Sequence, residues 1–251
     1  SFHVLEFLTI RYLFCLVIIS VLLTQGVMAA PKLAREQQRK LFIEAERLAH
    51  NPNGSAYKNI MQQLEGYPLR PYVELKTLSK FPFMANKKQI ESFLAKHESS
   101  PLDRPLRKKW LAYLAKQNQP ELFSDFYRDM GNTGLNCRNA ELMLQIDPAN
   151  VKAFELAENL WVVGKSQPKD CDVLFKKWQK AGKRTPDLVW KRLSLAADGG
   201  NHTLIPYIKT LLPKDQQYLA DLWLKVRRSP SQVSRLSNFP GKYPEKETEI
   251  Q

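Results

Sequence analysis

Cys137 and Cys171 are the residues of this 251-residue chain best placed to do chemistry. In an oxidising compartment an even pair of thiols reads as one disulfide closing a loop of about 34 residues; two buried free thiols are the alternative. His50, His97 and His202 are scattered and share no close spacing with either cysteine, so no metal site is expected. The chain has no G-x-S-x-G turn, no phosphate loop and no H-E-x-x-H pair, and neither cysteine has an obvious base beside it. No cofactor-binding pattern is present, and none is expected to bind. Two Glu-Ser dipeptides occur, Glu91-Ser92 and Glu98-Ser99. Both fall on a lysine-rich stretch that reads as an exposed helix, where a carboxylate is ordinarily just solvated.

The compartment is argued from residues 1–29. A single cation, Arg11, precedes the twelve-residue apolar run Tyr12 to Leu23. A polar break (Thr24, Gln25, Gly26) and the small-residue pattern Val27-Met28-Ala29 follow. That order is a signal peptide, with cleavage after Ala29, because a cut after Ala30 would place Pro31 at the scissile bond. The run is short of the roughly 20 apolar residues a permanent span needs, so no stable membrane insertion is expected after cleavage. Cys15 ends no lipobox. The expectation is an exported protein.

The formal charge is +13, and removing residues 1–29 takes one Arg and one Glu and leaves it unchanged. The cations are spread in short clusters, Lys87-Lys88, Arg107-Lys108-Lys109, Lys176-Lys177 and Arg227-Arg228, which read as solvated helix faces. Nucleic acid is the reflex partner of a basic chain. Export and the lack of a basic-aromatic motif argue against it and favour an anionic envelope polymer.

The elements that must carry these residues are helical almost throughout. Leu41, Phe42, Ala45, Leu48 and Ala49 recur at i, i+3 and i+4, as do Tyr57, Ile60, Met61 and Leu64. Asn86 is placed to cap a helix bearing Ile90, Phe93 and Leu94. Pro120 suits a first helical turn, and Thr185-Pro186 reads as N-cap followed by first turn. Gly164 and Gly182 fall where helices end in a left-handed residue. Asp147-Pro148 reads as a helix start, and Pro206 as a disturbance within 204–212. No period-two alternation and no hairpin turn appears. About ten short helices of no strict period predict an all-α fold, an irregular superhelix of stacked helix pairs, over 30–237. Residues 238–251, nearly without apolar side chains, read as a linker or truncated end.

Two stretches carry a resemblance. Residues 161–178, WVVGKSQPKDCDVLFKKW, with Gly182-Lys183, and residues 66–74, GYPLRPYVE, resemble segments of the soluble periplasmic lytic transglycosylases, the Slt-type enzymes acting on peptidoglycan. The likeness runs from about Leu41 to Trp223. It implies an N-terminal superhelical domain bent into a U-shaped arch that continues into a ring holding the glycan strand. The catalytic domain of that family is C-terminal and lysozyme-like. It also implies a disulfide between the positions of Cys137 and Cys171, and a periplasmic location in a Gram-negative bacterium. Both blocks read from their own residues as scaffold, with carbohydrate stacking by Tyr67 or Tyr72 unsupported.

Cleavage by such enzymes needs a carboxylic acid that acts as acid and then as base in a groove raising its pKa. The family carries it in a Glu-Ser motif followed by Gly-Leu-Met-Gln and Ala-Tyr-Asn-Ala-Gly segments, and neither of these segments occurs here. No catalytic residue is therefore assigned. The expected function is a non-catalytic superhelical part of a lytic transglycosylase. It would position murein strands for cleavage of the MurNAc-GlcNAc bond by a C-terminal domain outside this chain. Its partners would be the glycan strands and that domain. The start at Ser1 and the lack of a polar capping helix fit a piece of a longer protein. A free-standing periplasmic solenoid that binds a protein is the alternative, and a glycosidase using Glu91 or Glu98 comes third.

Overall fold

A computed structural model describes residues 34–251; the predicted signal peptide and Ala29 lie outside the described residues. The described residues form thirteen α-helices joined by short 3-10 turns, with no strand among them. They divide into two compact units after Thr77.

The first unit holds α1 (Arg35–Leu48), α2 (Ser55–Gln63) and most of α3 (Arg70–Lys80). Its core is the predicted stripe: Ala45, Ala49, Tyr57, Met61 and Leu64, closed by Val73. Tyr57 and Thr77 share a buried hydroxyl–hydroxyl hydrogen bond of 2.9 Å, which satisfies the one polar group this core takes in with Tyr57.

The second unit runs through α4 (Lys87–Lys96), α5 (Asp103–Lys116), α6 (Pro120–Phe126), α7 (Thr133–Ile146), α8 (Val151–Trp161), α9 (Asp172–Lys180), α10 (Pro186–Ala197), α11 (Ile205–Lys209), α12 (Gln217–Arg228) and α13 (Pro244–Ile250). Helices pack mainly on the next one or two in sequence, as in α7 with α8 and α9, or α10 with α11 and α12. That nearest-neighbour stacking is the irregular superhelix. Trp161 and Trp178 meet at 5.4 Å and Trp190 and Trp223 at 5.3 Å, filling the wide gaps between short helices.

Local chemistry sets the helix starts. Asn132, Asn150 and Thr185 each accept the backbone N–H three residues on, from Leu135, Ala153 and Leu188. Each such cap stabilises its helix by about 1 kcal/mol. Pro120 occupies the first turn of α6. Several expectations are corrected. Asn86 does not cap α4; its amide donates to the Phe81 carbonyl instead. Asp147-Pro148 precedes the helix start, which belongs to Asn150. Pro206 opens the first turn of α11 rather than disturbing it. Residues 238–251 include a helix, α13, which buries Glu247 and Ile250. The cation clusters are not all solvated either. Arg107 is buried and paired with Asp103 at 2.6 Å, and Lys177 reaches the buried Glu141 at 3.4 Å.

Candidate functional site

The two Glu-Ser carboxylates do not converge on anything. Glu91 is half-exposed and held by Lys87 one turn earlier on α4. Glu98 stands exposed in the turn after that helix, beside Ser99 in the left-handed region at φ 62°. Neither lies in an apolar groove of the kind a general acid requires. His50, His97 and His202 sit on three separate elements. Among the described residues no cluster of His, Cys, Asp and Glu could hold a metal ion.

The two cysteines do come together. Cys137 of α7 and Cys171, in the turn leading into α9, form a disulfide with Cα atoms 5.0 Å apart, and both are fully buried. Around it the 161–178 block forms a lock that the sequence did not disclose. Gly164 is not left-handed; a Cβ there would stand 2.2 Å from the carbonyl oxygen of Leu195. Gly200 approaches the same carbonyl, where a Cβ would lie 2.3 Å away. The Gly164 carbonyl accepts the N–H of Asn201 at 2.7 Å. Two glycines thus let the loop after α8 lie directly on the C-terminal end of α10.

Arg192 of α10 completes the lock. Its guanidinium donates to the Trp161 carbonyl at 2.7 Å and the Lys165 carbonyl at 3.3 Å, and lies 4.6 Å from the Trp161 ring. The side chain is buried with no carboxylate among the described residues bonded to it, and burial pulls its pKa below the usual arginine value. The carbonyls at the end of α8 act as its counter-charge.

The 66–74 block turns α2 into α3. Gly66 takes φ +75°, Tyr67 packs on Phe42 at 6.0 Å, and Arg70 donates to the Met61 carbonyl at 3.0 Å while pairing with Glu74 at 2.8 Å. Tyr72 is exposed and has no aromatic partner among the described residues.

A second surface feature lies in the other unit, between α3 and α5. Lys80 lies over Phe81, whose ring meets Phe83 edge-on at 6.2 Å; Phe83 meets Tyr113 at 5.7 Å, and Tyr113 stacks on the buried Trp110 at 5.6 Å and 12°. Phe83 is 46% and Met84 42% exposed, so this row of rings reaches solvent.

Residues 238–251 hold the most hydrogen-bonded carboxylate among the described residues. Glu247 accepts from the Tyr218 hydroxyl at 2.5 Å and from the backbone N–H groups of Gly241 and Lys242 at 2.9 and 3.2 Å. Burial alone would raise its pKa, but these donors together hold it below the usual carboxylate range. Tyr218 is pushed well above the ordinary phenol value, first by burial and then by this carboxylate. Glu249 accepts the Trp190 indole N–H at 2.7 Å, tying the same helix to α10. Nothing here resembles a catalytic pair; the arrangement fastens α13.

A family model described as cucumovirus coat protein matches residues 139–235, less than half of the chain, and carries no family assignment. The soluble lytic murein transglycosylase of Escherichia coli K12 is 25% identical over 207 residues, which is 82% of this chain and 32% of that protein. The Salmonella typhimurium protein of the same name is 25% identical over 79% of this chain and 31% of its own. The crystal structure of an inactive variant of lytic transglycosylase Slt from Pseudomonas aeruginosa superposes with a TM-score of 0.73 at 30% identity, covering 84% of this chain and 34% of that one. The 70-kDa soluble lytic transglycosylase of Escherichia coli superposes at 0.70 and 23% identity, a likeness of fold. The chain spans about a third of the length of the relatives it matches.

Proposed function

We propose that this chain, a homologue of the soluble lytic murein transglycosylases along four fifths of its length, is a non-catalytic superhelical part of such an enzyme. It is exported to the periplasm and helps form the ring that holds murein glycan strands. The MurNAc-GlcNAc bond is cleaved by a lysozyme-like domain outside these 251 residues. One observation carries this reading: the match to the Pseudomonas aeruginosa enzyme takes in 84% of this chain but a third of that one, and the described residues of this chain form helices without a strand. The two Glu-Ser carboxylates also support it, Glu91 being half-exposed and held by Lys87 and Glu98 exposed.

In this role the chain acts by positioning, restricting where a strand meets a distant catalytic groove. An immunoblot of a periplasmic extract is expected to show a native polypeptide much larger than 29.1 kDa. The purified chain is expected to bind sacculi in a salt-sensitive way and to release no anhydromuropeptides. A native band at the chain's own size would favour the free-standing protein-binding solenoid. Anhydromuropeptide release that Glu91→Gln or Glu98→Gln abolishes would return catalysis to this chain.

A further inference from the structure

We infer that the aromatic row at Phe83 and Tyr113 is a glycan-binding platform. It takes a hexosamine ring of a murein strand, while Lys80, Lys109 and Lys116 receive the carboxylates of the attached peptides; this rests on the murein reading above. A pyranose ring presents an apolar C–H face and a polar rim, and an exposed aromatic ring with polar groups at its edge is its physical complement. Phe83 provides the exposed face. Tyr113 provides the second ring, and its hydroxyl, which receives the Met84 N–H at 3.4 Å, is the polar edge.

The platform is rigid. Tyr113 lies flat on Trp110, which is fully buried, so its ring is fixed before any ligand arrives. On α5, Lys109 and Lys116 stand one turn before and one turn after Tyr113, on its face of the helix. Lys80 sits over Phe81 at the other end of the row. Charge favours an anionic polymer: residues 78–116 hold nine basic and three acidic side chains. Two of those acids are already engaged, Asp103 by Arg107 and Glu91 by Lys87. An aromatic row fringed by free lysines suits a ligand that alternates sugar faces with carboxylates better than it suits an uncharged apolar partner.

Co-sedimentation of the purified protein with sacculi, over a range of salt, tests this. Phe83→Ala is expected to weaken retention about tenfold with an unchanged salt dependence. The pair Lys109→Gln and Lys116→Gln is expected to weaken it and flatten the salt dependence. Both sites are on the surface, and an unaltered melting curve by circular dichroism verifies that each variant is folded. Retention of both variants within about twofold of the unmodified protein would overturn the platform and leave the murein reading standing. No retention of the unmodified protein would overturn the murein reading itself. Displacement from sacculi by a single-stranded oligonucleotide, but not by soluble N-acetylglucosamine oligomers, would reassign the row to nucleic acid and overturn the inference.

Discussion

At the scale of single residues, the lock around Trp161 turns on positions whose roles depend on distant partners. Gly164 faces backbone, and a methyl group there has nowhere to go because the Leu195 carbonyl cannot swing aside without unwinding α10. Gly131 is a contrast: it takes φ +66° in open space. Gly164→Ala is therefore expected to cost 3 kcal/mol or more, roughly, while Gly131→Ala costs about 1 kcal/mol from backbone strain alone. Urea unfolding of the two variants measures the difference, and equal losses would mean that the loop after α8 yields easily. Arg192 is the matching case for a polar group. Arg192→Met keeps the bulk but strips the donors from the Trp161 and Lys165 carbonyls. The expected loss is about 2–3 kcal/mol, the cost of leaving buried acceptors unpaired.

At the scale of elements, two fastenings respond to different conditions. The Cys137–Cys171 bond ties α7 to the start of α9 across a 34-residue separation. Replacing both cysteines with serine should cost roughly 3–4 kcal/mol on the chain-entropy account, and reduction should lower the denaturation midpoint by a matching amount. A reductant-insensitive midpoint would mean that the surrounding tryptophans hold α7 and α9 unaided. The other fastening is α13. Glu247 has a folded pKa held below its unfolded value, so its contribution is fully present above about pH 5 and fades as the pH falls through the folded value. Tyr218, raised in the fold, contributes below its unfolded pKa of about 10 and loses that contribution as the pH rises through the folded value. Glu247→Gln is expected to lower the melting temperature at pH 7 and to match the unmodified protein near pH 3. A deficit that persisted at pH 3 would show that side-chain shape, rather than charge, holds the helix.

At the scale of the whole molecule, what the sequence disclosed and what it concealed divide along one physical line. Features decided within a turn of helix were legible: the stripe from Leu41 to Ala49, the Thr185 cap and the proline that opens α6. Features decided by a partner far along the chain were not. Gly164 read as a helix stop because Leu195 is 31 residues away, and nothing near Arg192 in the sequence marks it as buried, because the carbonyls it serves belong to another helix. The closing helix was missed because Glu247 and Glu249 bond to partners far along the chain and its one buried apolar residue is Ile250, too few for a periodic stripe. The platform rings were visible as letters, but their exposure was not.

The same scale carries a last prediction. The boundary after Thr77 falls inside α3, and among the described residues the unit before it has a core of six buried hydrophobic residues against a far larger cluster in the other. A unit that small buries too little surface to match its larger neighbour in stability. All five tryptophans (Trp110, Trp161, Trp178, Trp190 and Trp223) lie in the second unit. Tryptophan fluorescence therefore follows that unit alone, whereas far-ultraviolet circular dichroism follows the helices of both. In urea the dichroism should begin to fall before the fluorescence moves, with the early loss confined to the share of helix in α1 to α3. Coincident transitions would show instead that α3 transmits stability across the boundary and that the two units unfold as one.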